Sequence, residues 1–214
     1  MGVAGAYRHI LQELNYRRVL DDRREDEPDM SITSVRMAEH EAVLKATKAL
    51  ESRIEAAGFL AREALESGHK LLICGNGGSA ADSQHMAAEI IGRFKKERPS
   101  LPALALTVDT SVLTAVGNDY GFDTIFSRQV EGLGQAGDVL IGISTSGNSG
   151  NIVRAVETAK QKGLRIISMT GAGGGKLVEL SDVSLDVPSN VTARVQEMHI
   201  LMIHIMCEIM EEKM

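Results

Sequence analysis

The chain has 214 residues, 43% hydrophobic and 24% charged, which suits one domain, or one domain with an added arm, around a large core. Aromatics make up 3%, Trp is absent and the net charge is −6, so the core is aliphatic and neither a base-stacking nor a phosphate-backbone nucleic-acid binder fits. No apolar run is long enough to span a bilayer, the N-terminus lacks the apolar core of a signal peptide, and Cys74 and Cys207 make no disulfide framework, so a cytoplasmic protein without nucleic-acid or membrane partners is expected.

In chain order, residues 5–25 can form a short helix, and DDRREDEPD (21–29) is a solvated charge run carrying a proline. Residues 1–29 read as an arm or linker, open to disorder, and 30–214 as the domain. From Ser34 to Ser67 the pattern is helical, with Val43, Leu44, Leu50, Ile54, Leu60 and Leu65 on the apolar face and Gly68 as the stop. KLLIC (70–74), ALALT (103–107), VLIGIS (139–144), RIISMT (165–170) and VSLDV (183–187) are short apolar runs without alternation, as in strands buried on both faces. Helical stretches lie at 79–94, 122–134, 150–162 and 175–180. The fold class is therefore α/β, an open five-stranded parallel sheet flanked by helices. The last stretch, 194–213, is a helix apolar over much of its circumference, and burial against another subunit is expected for it.

Ligands of open α/β sheets bind at the carboxyl ends of the strands. Two glycine-rich loops leave such ends and enter helices: GNGGS (75–79) and STSGNSGN (144–151). Free N–H groups and the helix dipoles there can hold a phosphate without a lysine. Asn76, Gly77, Gly78 and Ser79 form the first cradle, and the hydroxyls of Ser144, Thr145, Ser146 and Ser149 add donors in the second. The plainer reading is two tight turns with helix caps. A third loop, GAGGGK (171–176), reads as a simple turn.

Within 79–94, Asp82, His85 and Glu89 fall on one helix face, His85 and Glu89 about 40° apart, and Arg93 continues the row. A solvated polar face with a Glu89–Arg93 ion pair is the plain alternative. His and Glu four apart can also share a metal ion.

CGNGGSAADSQHMAAEIIGRF (74–94), VGNDYGF (116–122), GDVLIGISTSGNSGNI (137–152) and RVQEMHILMIHIMCEI (194–209) together resemble the SIS phosphosugar-binding domain and, more narrowly, the phosphoheptose isomerase family. The resemblance runs from about residue 30 to the end. It implies a flavodoxin-like three-layer sandwich whose N- and C-terminal helices pack in a homo-oligomer, a tetramer. It implies an aldose–ketose isomerase that converts sedoheptulose 7-phosphate into D-glycero-D-manno-heptose 7-phosphate, the first step towards ADP-heptose and the lipopolysaccharide core. It further implies one zinc per subunit on His85, Glu89, Gln196 and His204, with Glu89 as base, His204 as acid, and Asn118 and Asp119 on sugar hydroxyls. Glu89 and Gln196 are also expected at the substrate, and Asp82 to orient His85 or a hydroxyl. Some family members carry an acidic residue at the position of Ala193, which leaves the finer substrate preference open. A non-catalytic SIS regulator, of the kind that associates with the bacterial replication initiator, is the alternative; Glu89 and His204 together favour the enzyme.

Gln196 and His204 stand eight residues apart, about 12 Å along a straight helix. Either the helix bends or starts after Gln196, or the two come from different subunits. His199, about 140° from His204, is expected to be structural, and His69 a turn residue.

Overall fold

The structure is a computed structural model and describes residues 31–212. The expected arm, residues 1–29, lies outside the described residues.

The apolar runs do form strands: β1 (Leu71–Gly75), β2 (Ala103–Ala105), β3 (Val139–Ser144), β4 (Arg165–Thr170) and β5 (Val183–Asp186). They make one parallel sheet in the order β2-β1-β3-β4-β5. Alternation along each strand splits the core in two. Leu71, Ile73, Val139, Ile141 and Ile167 face one apolar cluster, while Leu72, Cys74, Leu140 and Ile166 face the other. Because both faces are covered, every residue of β1 and β3 is buried, which is why these runs show no polar alternation.

The first layer of helices comprises α1 (Ile32–Thr47), α2 (Glu51–Glu66), α3 (Gly78–Ile91) and, from the chain's end, α8 (Thr192–Glu211). α4 is Thr110–Tyr120. The opposite layer holds α5 (Ser127–Leu133), α6 (Gly150–Gln161) and α7 (Gly175–Leu180). The expected continuous helix of 34–67 is two helices joined by a 3-10 turn, Lys48–Leu50. The buried Thr47 hydroxyl donates to the Val43 carbonyl at 2.8 Å, a back-bond that bends helices at the point where this one breaks.

Two other expectations change. A helix not among the expected stretches carries most of VGNDYGF: Val116 to Tyr120 are the end of α4, which Asp109 caps by accepting the Val112 N–H at 2.9 Å. None of α4's residues is fully buried, and its apolar side, Leu113 and Val116, is only partly covered by the second cluster. The α8 helix is covered by its own chain, since Val195, Met198, Met202, Ile203, Met206 and Met210 belong to the core shared with α1, α2 and α3. Its burial needs no second subunit.

Candidate active site

The site forms where β1 and β3 end and their loops enter α3 and α6. Gly77 turns the first loop at φ +56°, a conformation that favours glycine. At Gly78 a side chain would strike a neighbour, because a Cβ there would lie 2.5 Å from the Gln196 amide nitrogen. Gln196 therefore stands at the first glycine-rich loop. In the second loop the Ser144 hydroxyl lies 2.9 Å from that of Ser149 and 3.4 Å from that of Ser146. Ser144 and Ser79 are buried, Thr145 and Ser149 half-buried, and Ser146 exposed.

The two loops are tied together. Asn76 and Asn151 exchange amide hydrogen bonds in both directions at 2.9 Å. The third loop braces the second and is more than a turn: Gly171 N–H donates to Thr145 O at 3.0 Å, Leu177 N–H to Gly147 O at 3.2 Å, and Lys176 N–H to the Asn148 side chain at 3.1 Å.

Farther along α3, two helices meet side by side and parallel. Gln196 lies against Gly78, His204 against His85, and Glu211 against the chain just after α3. His85 Nε2 is 2.9 Å from His204 Nε2 and 3.4 Å from a Glu89 carboxylate oxygen. The Phe94 ring stacks on His204, centroids 5.4 Å apart and planes 23° from parallel. Asp82, one turn before His85, has a buried Oδ2 without a hydrogen-bond partner. Burial pushes its pKa up to about 6, against the opposing pull of His85.

Arg93 lies beyond α3 and pairs with Glu97 at 3.3 Å, so the Glu89–Arg93 pair of the plainer alternative is not formed. His199 is fully buried with Nε2 3.1 Å from Thr170 O, a structural placement, and burial lowers its pKa to about 4 despite that contact. His69 precedes β1, with Nδ1 3.7 Å from Asp138. Asn118 and Asp119 sit on the last turn of α4, bonded to each other at 2.8 Å, and no hydrogen bond among the described residues joins them to the histidine pair.

α8 runs unbroken from Thr192, so Gln196 lies inside it. Within one chain Gln196 and His204 engage different ends of α3. Two imidazoles and a carboxylate are the donor types zinc takes. Their spacings bracket the roughly 3.3 Å between ligands that Zn–N distances near 2.0–2.1 Å set around a tetrahedral ion. The facing Nε2 atoms nevertheless point at each other, and among the described residues no group of three His, Cys, Asp or Glu is set to hold a metal as it stands. The donors fit zinc, and admitting it requires the pair to open by a few tenths of an ångström.

Sequence reasoning missed Asn151, Phe94, Arg98 and Glu211. Asn151 stood in the quoted loop, whereas the other three are brought together only by the packing of α3 on α8.

A parallel sheet with two glycine-rich loops at its carboxyl edge is an open α/β domain with its candidate site at the strand ends, and the SIS domain family profile matches residues 37–171. Curated relatives include the phosphoheptose isomerase of Nitratiruptor sp., 55% identical over 177 residues, 82% of this chain and 95% of that one. Phosphoheptose isomerase 1 of Campylobacter jejuni is 55% identical over 81% of this chain and 94% of its own. The solved phosphoheptose isomerase of Neisseria gonorrhoeae superposes with a TM-score of 0.80 at 47% identity, over 84% of this chain and 97% of that one. That of Francisella tularensis gives 0.80 at 39%, over 86% and 100%. The chain belongs to the SIS domain family, among the proteins named phosphoheptose isomerase, and is a sugar phosphate isomerase. The non-catalytic alternative is thereby set aside. Among the described residues no helix is long and apolar enough to cross a membrane.

Proposed function

We propose that the chain interconverts sedoheptulose 7-phosphate and D-glycero-D-manno-heptose 7-phosphate, the first step towards ADP-heptose and the lipopolysaccharide core, in the cytoplasm. The observation that carries the chemistry is the meeting of Glu89, His85 and His204 on the helix that leaves the first phosphate-type loop. The sevenfold carbon count rests on the names of the relatives.

On this reading the loop amides and the hydroxyls of Ser144, Ser146 and Ser149, with Thr145 and Ser79, hold the phosphate, and Gln196 contacts the substrate beside Gly78. Glu89 removes the proton from C1 of the open ketose while His204 delivers one to the C2 oxygen, which leaves an enediol. Glu89 then returns its proton to C2 as His204 takes the one on the C1 oxygen, and the aldose results. Asn118 and Asp119 are assigned to sugar hydroxyls. His85, Glu89 and His204, with Gln196, would hold one zinc, which supplies Lewis acidity at the sugar oxygens. Since α8 is continuous, Gln196 joins that set from a neighbouring subunit. A homotetramer fits the bare α4, where Tyr120 is 58% exposed, and the neighbouring Phe122, 63% exposed.

Purified protein offered five-, six- and seven-carbon ketose phosphates, with and without zinc, tests the reading. Turnover of the seven-carbon substrate is expected; preference for a shorter chain removes the substrate, and inertness towards all removes the mechanism.

A further inference from the structure

Beyond the reacting groups, a buried ionic clasp closes the far ends of α3 and α8. α3 stops at Ile91, so the carbonyls of Glu89 and Ile90 lack partners from a further helical turn. The guanidinium of Arg98, whose side chain is 2% exposed, donates to both at 2.9 Å, and its Nε donates to Glu211 at 3.0 Å. The Glu211 carboxylate, equally buried, also accepts the consecutive N–H groups of Phe94, Lys95 and Lys96 at 2.7, 2.8 and 2.9 Å. Successive amides around an anion form the backbone concavity that elsewhere binds phosphate; here a side chain of the same fold fills it.

The clasp thus touches the site twice. It holds the carbonyl of Glu89 itself, and it fixes the backbone of Phe94, whose ring lies on His204. We infer that Arg98 and Glu211 are positioning residues for the reaction, setting the stem of the base and the ring that packs on the acid. The inference rests on the reading of Glu89 and His204 as base and acid. Stability alone is a poor reason for such a pair, since apolar replacements of buried ion pairs are often neutral. The phosphate loop lies eleven residues earlier on α3, roughly 16 Å away, so a loosened clasp disturbs the chemistry end and spares the grip.

The test compares kcat and KM for the sugar phosphate in the full chain, at a temperature where circular dichroism shows each protein folded. Glu211→Gln is expected to lower kcat about tenfold or more with KM within about threefold, because small misplacements of reacting groups are costly. Arg98→Lys is expected to do the same, since an ammonium cannot fork across carboxylate and carbonyls. Asp138→Asn is the control. It alters a carboxylate of like burial that accepts from Lys70 and Gln135 at the amino ends of β1 and β3, and should leave kcat near the wild-type value. The inference is overturned if both clasp variants lose no more kcat than the control, if KM rises instead, or if neither variant folds. An inert wild-type chain would remove the isomerase reading and the inference with it.

Discussion

His85 and His204 face each other through Nε2 atoms 2.9 Å apart, across two parallel helices that lie 119 positions apart in sequence. At that distance one ring's N–H donates to the other ring's nitrogen, and a metal ion could enter only if the two rings parted. Zinc is the cation their chemistry favours. Chelation is therefore expected to lower turnover and added zinc to restore it. His85→Ala should cut the zinc retained after dialysis by about tenfold or more. Metal analysis of the two proteins checks this, and equal zinc contents would place the ion elsewhere.

Glu89 is half-buried and within 3.4 Å of His85. Glu89→Gln keeps its shape and removes its basicity. Turnover is expected to fall about 100-fold or more while substrate binding, measured by calorimetry, persists. Activity above a tenth of wild type would exclude Glu89 as the base.

The reciprocal amide pair of Asn76 and Asn151 links the two glycine-rich loops proposed to hold the phosphate. Asn151→Ala leaves one amide unpartnered and the loops free to part. KM is expected to rise several-fold, with a smaller fall in kcat, and Ser146→Ala should share that pattern. An unchanged KM in both variants would move the phosphate away from these loops.

Two groups shifted by desolvation, the buried His199 and the half-buried Asp82, give opposite pH signatures. Burial holds the His199 pKa near 4, below its ordinary 6.5, so the unfolded chain binds more protons between those values. His199 therefore erodes stability as pH falls from 6.5 to 4 and adds nothing further below. The pKa of Asp82 is raised from 3.8 to about 6, so its cost is present above pH 6 and is relieved as pH falls towards 3.8. Asp82→Asn should raise the melting temperature at pH 7.5 and leave it nearly unchanged at pH 3.5. His199→Gln should flatten the decline between 6.5 and 4. Melting curves across that range check both signs, and identical pH slopes in variants and wild type would refute the assignment.

The strands were legible because burial on both faces leaves β1 and β3 apolar up to Ser144 at the very end of β3, and the two loops because glycine and hydroxyl residues cluster where those strands stop. The His85–Glu89 pair was legible from helical spacing. α4 was not, since its apolar side, Leu113 and Val116, is short and only partly buried and is followed by Gly117, Asn118 and Asp119. The clasp was equally hidden: Arg98 and Glu211 are 113 positions apart, each within an ordinary charged stretch, and only the alignment of α3 with α8 brings them together. Local pattern reports what a segment does for itself, and these contacts depend on which helix lies beside which.

The parallel run of α3 and α8 has a consequence for how the protein is made. Both glycine loops and Glu89 emerge from the ribosome before His204 and Glu211. Until α8 follows, the chain holds the loops and Glu89 but not the imidazole that faces His85, so the site is assembled only once that helix has been made.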